Sequence, residues 1–219
     1  MTKKSVAARK KVSGIRARKP EEKQIVREQL LRNAIELYRS TGYQNFSMRK
    51  LAACAEFSPS SLYRYFKDKE NVFASLVDMG FCLMEERLSE VDGKDLREYL
   101  KAFAHAYLNF ALTEPELYKL MTTDHPPKSV ILDDSSTNRR WRVFASLGEK
   151  AESYGLPVLK STIENSAATD SLWAFGHGLA SLVISLPYFD ETRMQNTLNF
   201  VFQQIDPFVE QLINSLPSR

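Results

Sequence analysis

Cysteine, histidine, glycine and proline are all scarce in this 219-residue chain. Two cysteines, at 54 and 82, cannot build a disulfide framework or a four-ligand zinc site; they read as inert, small apolar residues. The three histidines, at 105, 125 and 177, lie too far apart for any pair to have metal-ligand spacing, so neither a metal nor another cofactor is expected. Eight glycines and nine prolines exclude collagen-like, low-complexity and turn-rich all-β architectures. No apolar run approaches the ~20 residues of a membrane span, and no apolar core of a secretory signal is found, so a membrane partner is not expected. A Ser/His/Asp set, a paired-carboxylate signature, a phosphate loop and a metal cluster are all missing, and the chain does not read as an enzyme.

Apolar residues make up 43% of the chain and charged residues 26%, enough for a sizeable core. The net charge of +3 hides a gradient: residues 1–20 carry eight Lys/Arg and no acid (+8), residues 21–75 carry +2, and residues 76–219 carry −7. Such an asymmetry directs the front end toward a polyanion. Residues 1–20 lack aromatics and apolar clusters and are expected to be disordered when alone. Three readings stay open for them. They form an arm along phosphates or in a minor groove, a solubilising tail, or a transit peptide, the last disfavoured because no amphipathic stripe is present.

Val26, Leu30, Ala34 and Leu37 trace one face of a helix over about 22–40, and Gly42 is placed to end it in a left-handed conformation. Ser47 is a good N-cap for a short helix over about 48–55, with Met48, Leu51, Ala52 and Ala55 inward and Arg49 and Lys50 outward. Ser58 caps a third helix of about 59–65, with Pro59 at its first position. Phe57 and Leu62 have the spacing of a hydrophobic staple, and Leu62 and Phe66 face inward. Pro59, Ser60, Tyr63 and Arg64 are left outside. Two short helices around a tight turn, with small polar groups plus Tyr and Arg exposed, make a helix-turn-helix. Asp68 caps a fourth helix that reaches about residue 89, and Lys69 beside its N-terminus suits a phosphate.

The run from Phe46 to Ala52, followed by Ser58 to Glu70 with its Leu-Tyr-x-x-Phe-x-x-Lys-Glu string, resembles the DNA-binding domain of the TetR/AcrR (tetracycline-repressor) family over about residues 22–75. The resemblance implies an all-α fold: three N-terminal DNA-binding helices and a helical, ligand-binding and dimerising C-terminal domain. It also implies roles by position. Ser47 matches a phosphate-touching N-cap and Arg49 a base- or backbone-contacting residue, with Lys50 beside it. Ser58, Pro59, Ser60 and Ser61 stand at the base-reading start of the recognition helix. Tyr63 matches a phosphate-binding tyrosine, with Arg64 next to it. Tyr65 stands where the family commonly has His, and Lys69 matches a phosphate-binding lysine. The family usually has Gly where this chain has Glu56, which must either take a left-handed conformation or reshape the turn.

The acidic remainder reads as helices over about 95–113, 115–123, 137–154 and 168–186, and a last one carrying Met194 to Leu216, with a loop at 124–136. Residues 168–186 show two apolar stripes, one running from Leu172 to Leu186 and one through Trp173, His177, Ala180 and Ile184. A helix apolar on two faces is buried on two sides, here its own core and a partner copy. Pro207 is expected to kink or break the last helix. Trp173-x-x-x-His177-Gly178 resembles the Trp-His-Gly (WHG) signature of one TetR-type C-terminal class. Phe103, Tyr107, Phe110, Trp141, Trp173 and His177 are either the lining of an effector pocket or ordinary core.

The expected organisation is a basic arm (1–20), a helix-turn-helix domain (21–70) and a ligand-binding and dimerisation domain (71–216) whose first helix, 71–89, is a connector. The expected function is a cytoplasmic, nucleoid-associated repressor that binds double-stranded DNA as a homodimer through its last two helices. A small-molecule effector would release it from a pseudo-palindromic operator. The alternative is an architectural or co-regulating DNA binder with no inducer. If the arm lies on phosphates, deleting residues 2–19 lowers affinity and reduces the log–log salt slope by ~0.9 per lost contact; an unchanged slope makes the arm a bystander.

Overall fold

A computed structural model describes residues 19–122, 143, 146–155, 167–185 and 191–215. Among these the regular structure is entirely helical. The elements are α1 (Pro20–Asn45), α2 (Met48–Cys54), α3 (Pro59–Leu62), α4 (Lys69–Ser89), α5 (Leu96–Thr113), α6 (Pro115–Thr122), α7 (146–153), α8 (Ala167–Ser185) and α9 (Glu191–Asn214). Trp141, the loop expected at 124–136 and the arm lie outside the described residues, apart from Lys19 and Pro20.

The helix starts follow from side-chain oxygens that receive otherwise unpaired backbone N–H groups. Ser47 accepts from Lys50 N at 3.2 Å, Ser58 from Ser61 N at 3.2 Å, Asp68 from Asn71 N at 2.7 Å and Asp95 from Glu98 N at 2.9 Å. Three boundaries differ from the expectation. The backbone leaves the helical region at Gly42 (φ 67, ψ 173), yet a further turn follows before Phe46 N–H closes onto the Tyr43 carbonyl. α3 is only four residues long, because beyond Leu62 the chain tightens: Arg64 N bonds Ser61 O and Tyr65 N bonds Leu62 O. α9 runs unbroken through Pro207. Pro207 is exposed, while Ile205 and Val209 on either side are buried, and that packing holds the helix across the missing N–H.

The head is built on Phe73 of α4, which receives ring edges from Tyr38, Tyr43 and Phe46 at 4.7–5.6 Å. Leu30, Leu31, Leu51, Leu62 and Phe66 are each no more than 2% exposed around it. In the body, α5 is central and packs on α4, α6, α8 and α9. Gly80 brings α4 against α6 so closely that a Cβ there would lie 2.4 Å from Met121 Sδ, and Gly176 brings α8 onto Tyr107. On the outer side of the α5–α9 contact, Arg97 pairs with Glu210, Lys101 with Asp206 and Glu210, and His105 with Asp206. Arg39 of α1 pairs with Glu116 of α6 at 3.0 Å and so ties head to body, while within the body Arg87 of α4 pairs with Glu114 at 2.8 Å. Cys54 and Cys82 are both exposed, and neither is in a disulfide.

Glu56 has φ 56, so the helix-turn-helix turn is made by forcing a side chain into the left-handed region rather than by reshaping it. Replacing Glu56 with Gly removes that strain and is expected to stabilise the protein by about 1 kcal/mol, read as a shifted urea midpoint with unchanged slope.

Candidate nucleic-acid interface

The helix-turn-helix sorts its side chains by burial. Leu62 is 0% exposed and Phe66 1%, and this pins α3 to the core while Tyr63 stands 55% exposed. Arg49, Lys50, Ser58, Pro59, Ser60 and Arg64 are exposed, whereas Ser47, Ser61, Tyr65 and Lys69 are half-buried. The α3 start is a hydroxyl cluster: Ser58 Oγ lies 3.1 Å from Ser60 Oγ and 2.8 Å from Ser61 Oγ. Tyr65 meets the ring of Phe57 edge-on at 6.3 Å, so the ring expected to staple Leu62 also supports a tyrosine. Lys50 Nζ donates to the Asn45 carbonyl at 2.8 Å. Lys69 is engaged inside the protein: its Nζ donates to the Tyr43 carbonyl at 2.5 Å and sits 3.9 Å from the centre of the Tyr43 ring.

In the body, Phe103, Tyr107 and Phe110 are buried, Phe110 wholly so and covered by the Arg87 guanidinium. Trp173, 38% exposed, stacks on His177 at 5.4 Å. These groups belong to one polar chain threaded through apolar surroundings. The Trp173 indole hydrogen-bonds Tyr107, Tyr107 Oη lies 3.0 Å from Tyr118 Oη, and Tyr118 Oη lies 2.6 Å from His177 Nδ1. An indole can only donate, so Tyr107 accepts from it, donates to Tyr118, and Tyr118 donates to His177 Nδ1. This direction requires a neutral imidazole carrying its proton on Nε2. Burial lowers the pKa of His177 below the ordinary 6.5, in keeping with that state. Burial also raises Tyr118 to about 12, against the hydrogen bonds from Tyr107 and Ser181, and raises Tyr107 well above the ordinary 10, with help from Tyr118.

Tyr118 and Ser181 were not among the expected effector residues. Tyr118 lies on the apolar face of a helix that sequence does delimit, but nothing in one sequence pairs it with a histidine 59 positions away. Among the described residues, no group of three or more His, Cys, Asp or Glu could hold a metal ion, and no helix is long and apolar enough to cross a membrane.

Comparison with known proteins places both halves. Residues 30–76 match the family described as bacterial regulatory proteins, tetR family, and residues 100–213 match the tetracyclin repressor-like C-terminal domain. The chain belongs to the tetR family. That family is one of bacterial regulatory proteins. A curated relative of this tetR-family chain, the nucleoid occlusion factor SlmA of Enterobacter sp. (strain 638), is 32% identical over 99 residues, which are 44% of this chain and 50% of that protein. The chain thus spans about half the length of the curated relatives it matches. Among solved structures, a tetR-family transcriptional regulator from Pectobacterium atrosepticum aligns with a TM-score of 0.61 and 23% identity, covering 92% of this chain and 99% of that one. The fatty acid degradation regulator FadR from Bacillus halodurans aligns with a TM-score of 0.66 and 15% identity, covering 93% and 100%.

The polar chain sets a pH window for stability. His177 has a lowered folded pKa, so its contribution is present above about 6.5 and is lost as pH falls through the lower folded value. Tyr118 has a raised one, so its contribution is present below about 10 and is lost as pH rises toward about 12. Thermal midpoints are expected to be flat between these limits, and His177→Gln should remove the fall that begins just below pH 6.5 while leaving the alkaline fall in place.

Proposed function

We propose that the protein is a cytoplasmic, homodimeric regulator that reads a pseudo-palindromic operator with α3 and is released from it by a small molecule bound in the body. The observation that carries this reading is Tyr63, 55% exposed between two core anchors and flanked by exposed Ser60 and Arg64. In this reading Arg49, Pro59, Ser60, Ser61 and Arg64 face base edges or backbone. Ser47, Lys50, Ser58, Tyr63, Tyr65 and Lys69 serve phosphates or the helix starts that approach them, Lys69 after exchanging the Tyr43 carbonyl for a phosphate oxygen. The head is 21–70, preceded by the arm, and the body is 71–216. Two heads would lie about 34–36 Å apart, one turn of duplex.

Burial supports the dimer through α8 and α9. The exposed face of α8 carries Ser171, Ala174, Gly178, Leu182 and Ser185, and that of α9 carries Asn196, Phe200, Gln203, Pro207 and Gln211. Apart from Arg193 at the start of α9, neither stripe holds a charge, in a chain where 26% of residues are charged, and Leu182 and Phe200 are 51% and 61% exposed. Small residues on α8 let a second helix approach closely, as a four-helix interface requires. The polar chain from Trp173 to His177 supports the effector site, since a ligand that takes over one of its hydrogen bonds alters the rest; a coupling of ~1–3 kcal/mol is enough for such a switch. A second reading, a DNA binder without an inducer, is favoured by one fact: among the described residues every buried side-chain polar atom already has a partner.

Binding of the purified protein to the DNA upstream of its own gene, against a scrambled duplex, tests the proposal; equal affinity for both refutes it. Tyr63→Phe should weaken both complexes alike, by about 1 kcal/mol, and flatten the salt dependence, because a phosphate contact positions without specifying. A change of sequence preference would move Tyr63 to the base-reading set. Leu182→Glu should convert the dimer to monomer in sedimentation and abolish operator binding with the helical content kept.

A further inference from the structure

Arg27 is a charged side chain of α1 that reaches the segment leaving the recognition helix. It lies on the half-buried side of α1, three residues before the buried Leu30. Its Cζ stands 5.2 Å from the centre of the Phe66 ring, and its Nη2 donates to Ser75 Oγ at 2.6 Å. Ser75 is the one polar residue among the described residues that falls in the buried class. Its hydroxyl proton is committed to the Asn71 carbonyl at 2.7 Å, so toward Arg27 it can only accept. Asn71 Oδ1 in turn accepts from Lys67 N at 3.3 Å. Two lines therefore run from the guanidinium to consecutive residues of the segment that follows α3: one through the ring face of Phe66, one through Ser75 and Asn71 to the backbone of Lys67.

We propose that Arg27 is a positioning residue for DNA recognition, locking the exit of the recognition helix to α1 and α4 so that the angle at which α3 enters the groove depends on it. This rests on the reading of α3 as the base-reading element. The chemistry asks for arginine: a planar guanidinium stacks on a ring face and donates sideways in the same plane, whereas an ammonium does one at the expense of the other. A site held to fractions of an ångström loses discrimination when its support loosens, while attraction to phosphate is indifferent to the same change.

The test measures binding by the full chain to two duplexes at several salt concentrations. One is the duplex that the wild-type protein selects from a randomised pool, the other a scrambled duplex of equal length. Arg27→Met and Ser75→Ala are expected to lose about tenfold on the selected duplex and less than about twofold on the scrambled one, with the salt slope unchanged. Arg27→Lys should recover part of the loss, and the double variant should be no worse than Arg27→Met alone. Equal losses on both duplexes with the slope reduced by ~0.9 would place Arg27 on a phosphate and overturn the proposal; so would unchanged binding. If Arg27→Met does not fold by circular dichroism, Ser75→Ala and Arg27→Lys decide by the same two ratios. A wild-type protein that selects no duplex refutes the base-reading role of α3 itself, a separate failure visible before any variant is made.

Discussion

The burial of Leu62 and Phe66 is the constraint from which the reading head follows. Each contributes roughly 1.5–3 kcal/mol by leaving water, and they sit four positions apart on a segment too short to hold a helical shape alone. Once both are inside, the rotation of the segment is decided, and Tyr63 and Arg64 must stand outside. The rest of the head serves that pair. Ser58 starts the helix, Glu56 accepts a strained backbone so that α2 and α3 can meet, and Phe73 supplies the aromatic floor.

The body uses a different device. A chain of hydroxyls and ring nitrogens runs through its apolar core from Trp173 to His177, and a polar chain inside a low-dielectric medium is stable only when each member is satisfied. That makes it sensitive: a change at one end must be absorbed by a partner on another helix. α6 holds the middle of this chain through Tyr118, and two residues earlier holds Arg39 of α1 through Glu116. Eight residues thus touch the chemistry of the body and the frame of the head at once.

Much of the head was legible in the sequence because its signals are local. Caps at Ser47, Ser58 and Asp68, the inward spacing of Leu62 and Phe66, and the likeness to a known family all act within a few residues of one another, and the structure has them where expected. What stayed hidden is long-range. Lys69 reads as a free cation beside a helix start, but Tyr43, 26 positions earlier, supplies both a carbonyl and a ring to hold it. Arg27 has the same history with Ser75, 48 positions later. Pro207 reads as a break because local chemistry forbids it mid-helix, and tertiary packing on both sides carries the helix through. The short α3 is a case of geometry too fine for periodicity, a last turn closing in three residues instead of four.

Gly80 has a consequence for how α4 and α6 are spaced. With no side chain on α4 at that point, Met121 rests directly on main chain, and Leu117 lies close beside it. The gap between the two helices is therefore filled from one side only, by a flexible thioether of α6. Any side chain at position 80 would have to push that thioether aside, so the spacing of α6 from α4, the helix that starts at Asp68 beside the recognition helix, is set by the absence of a single Cβ.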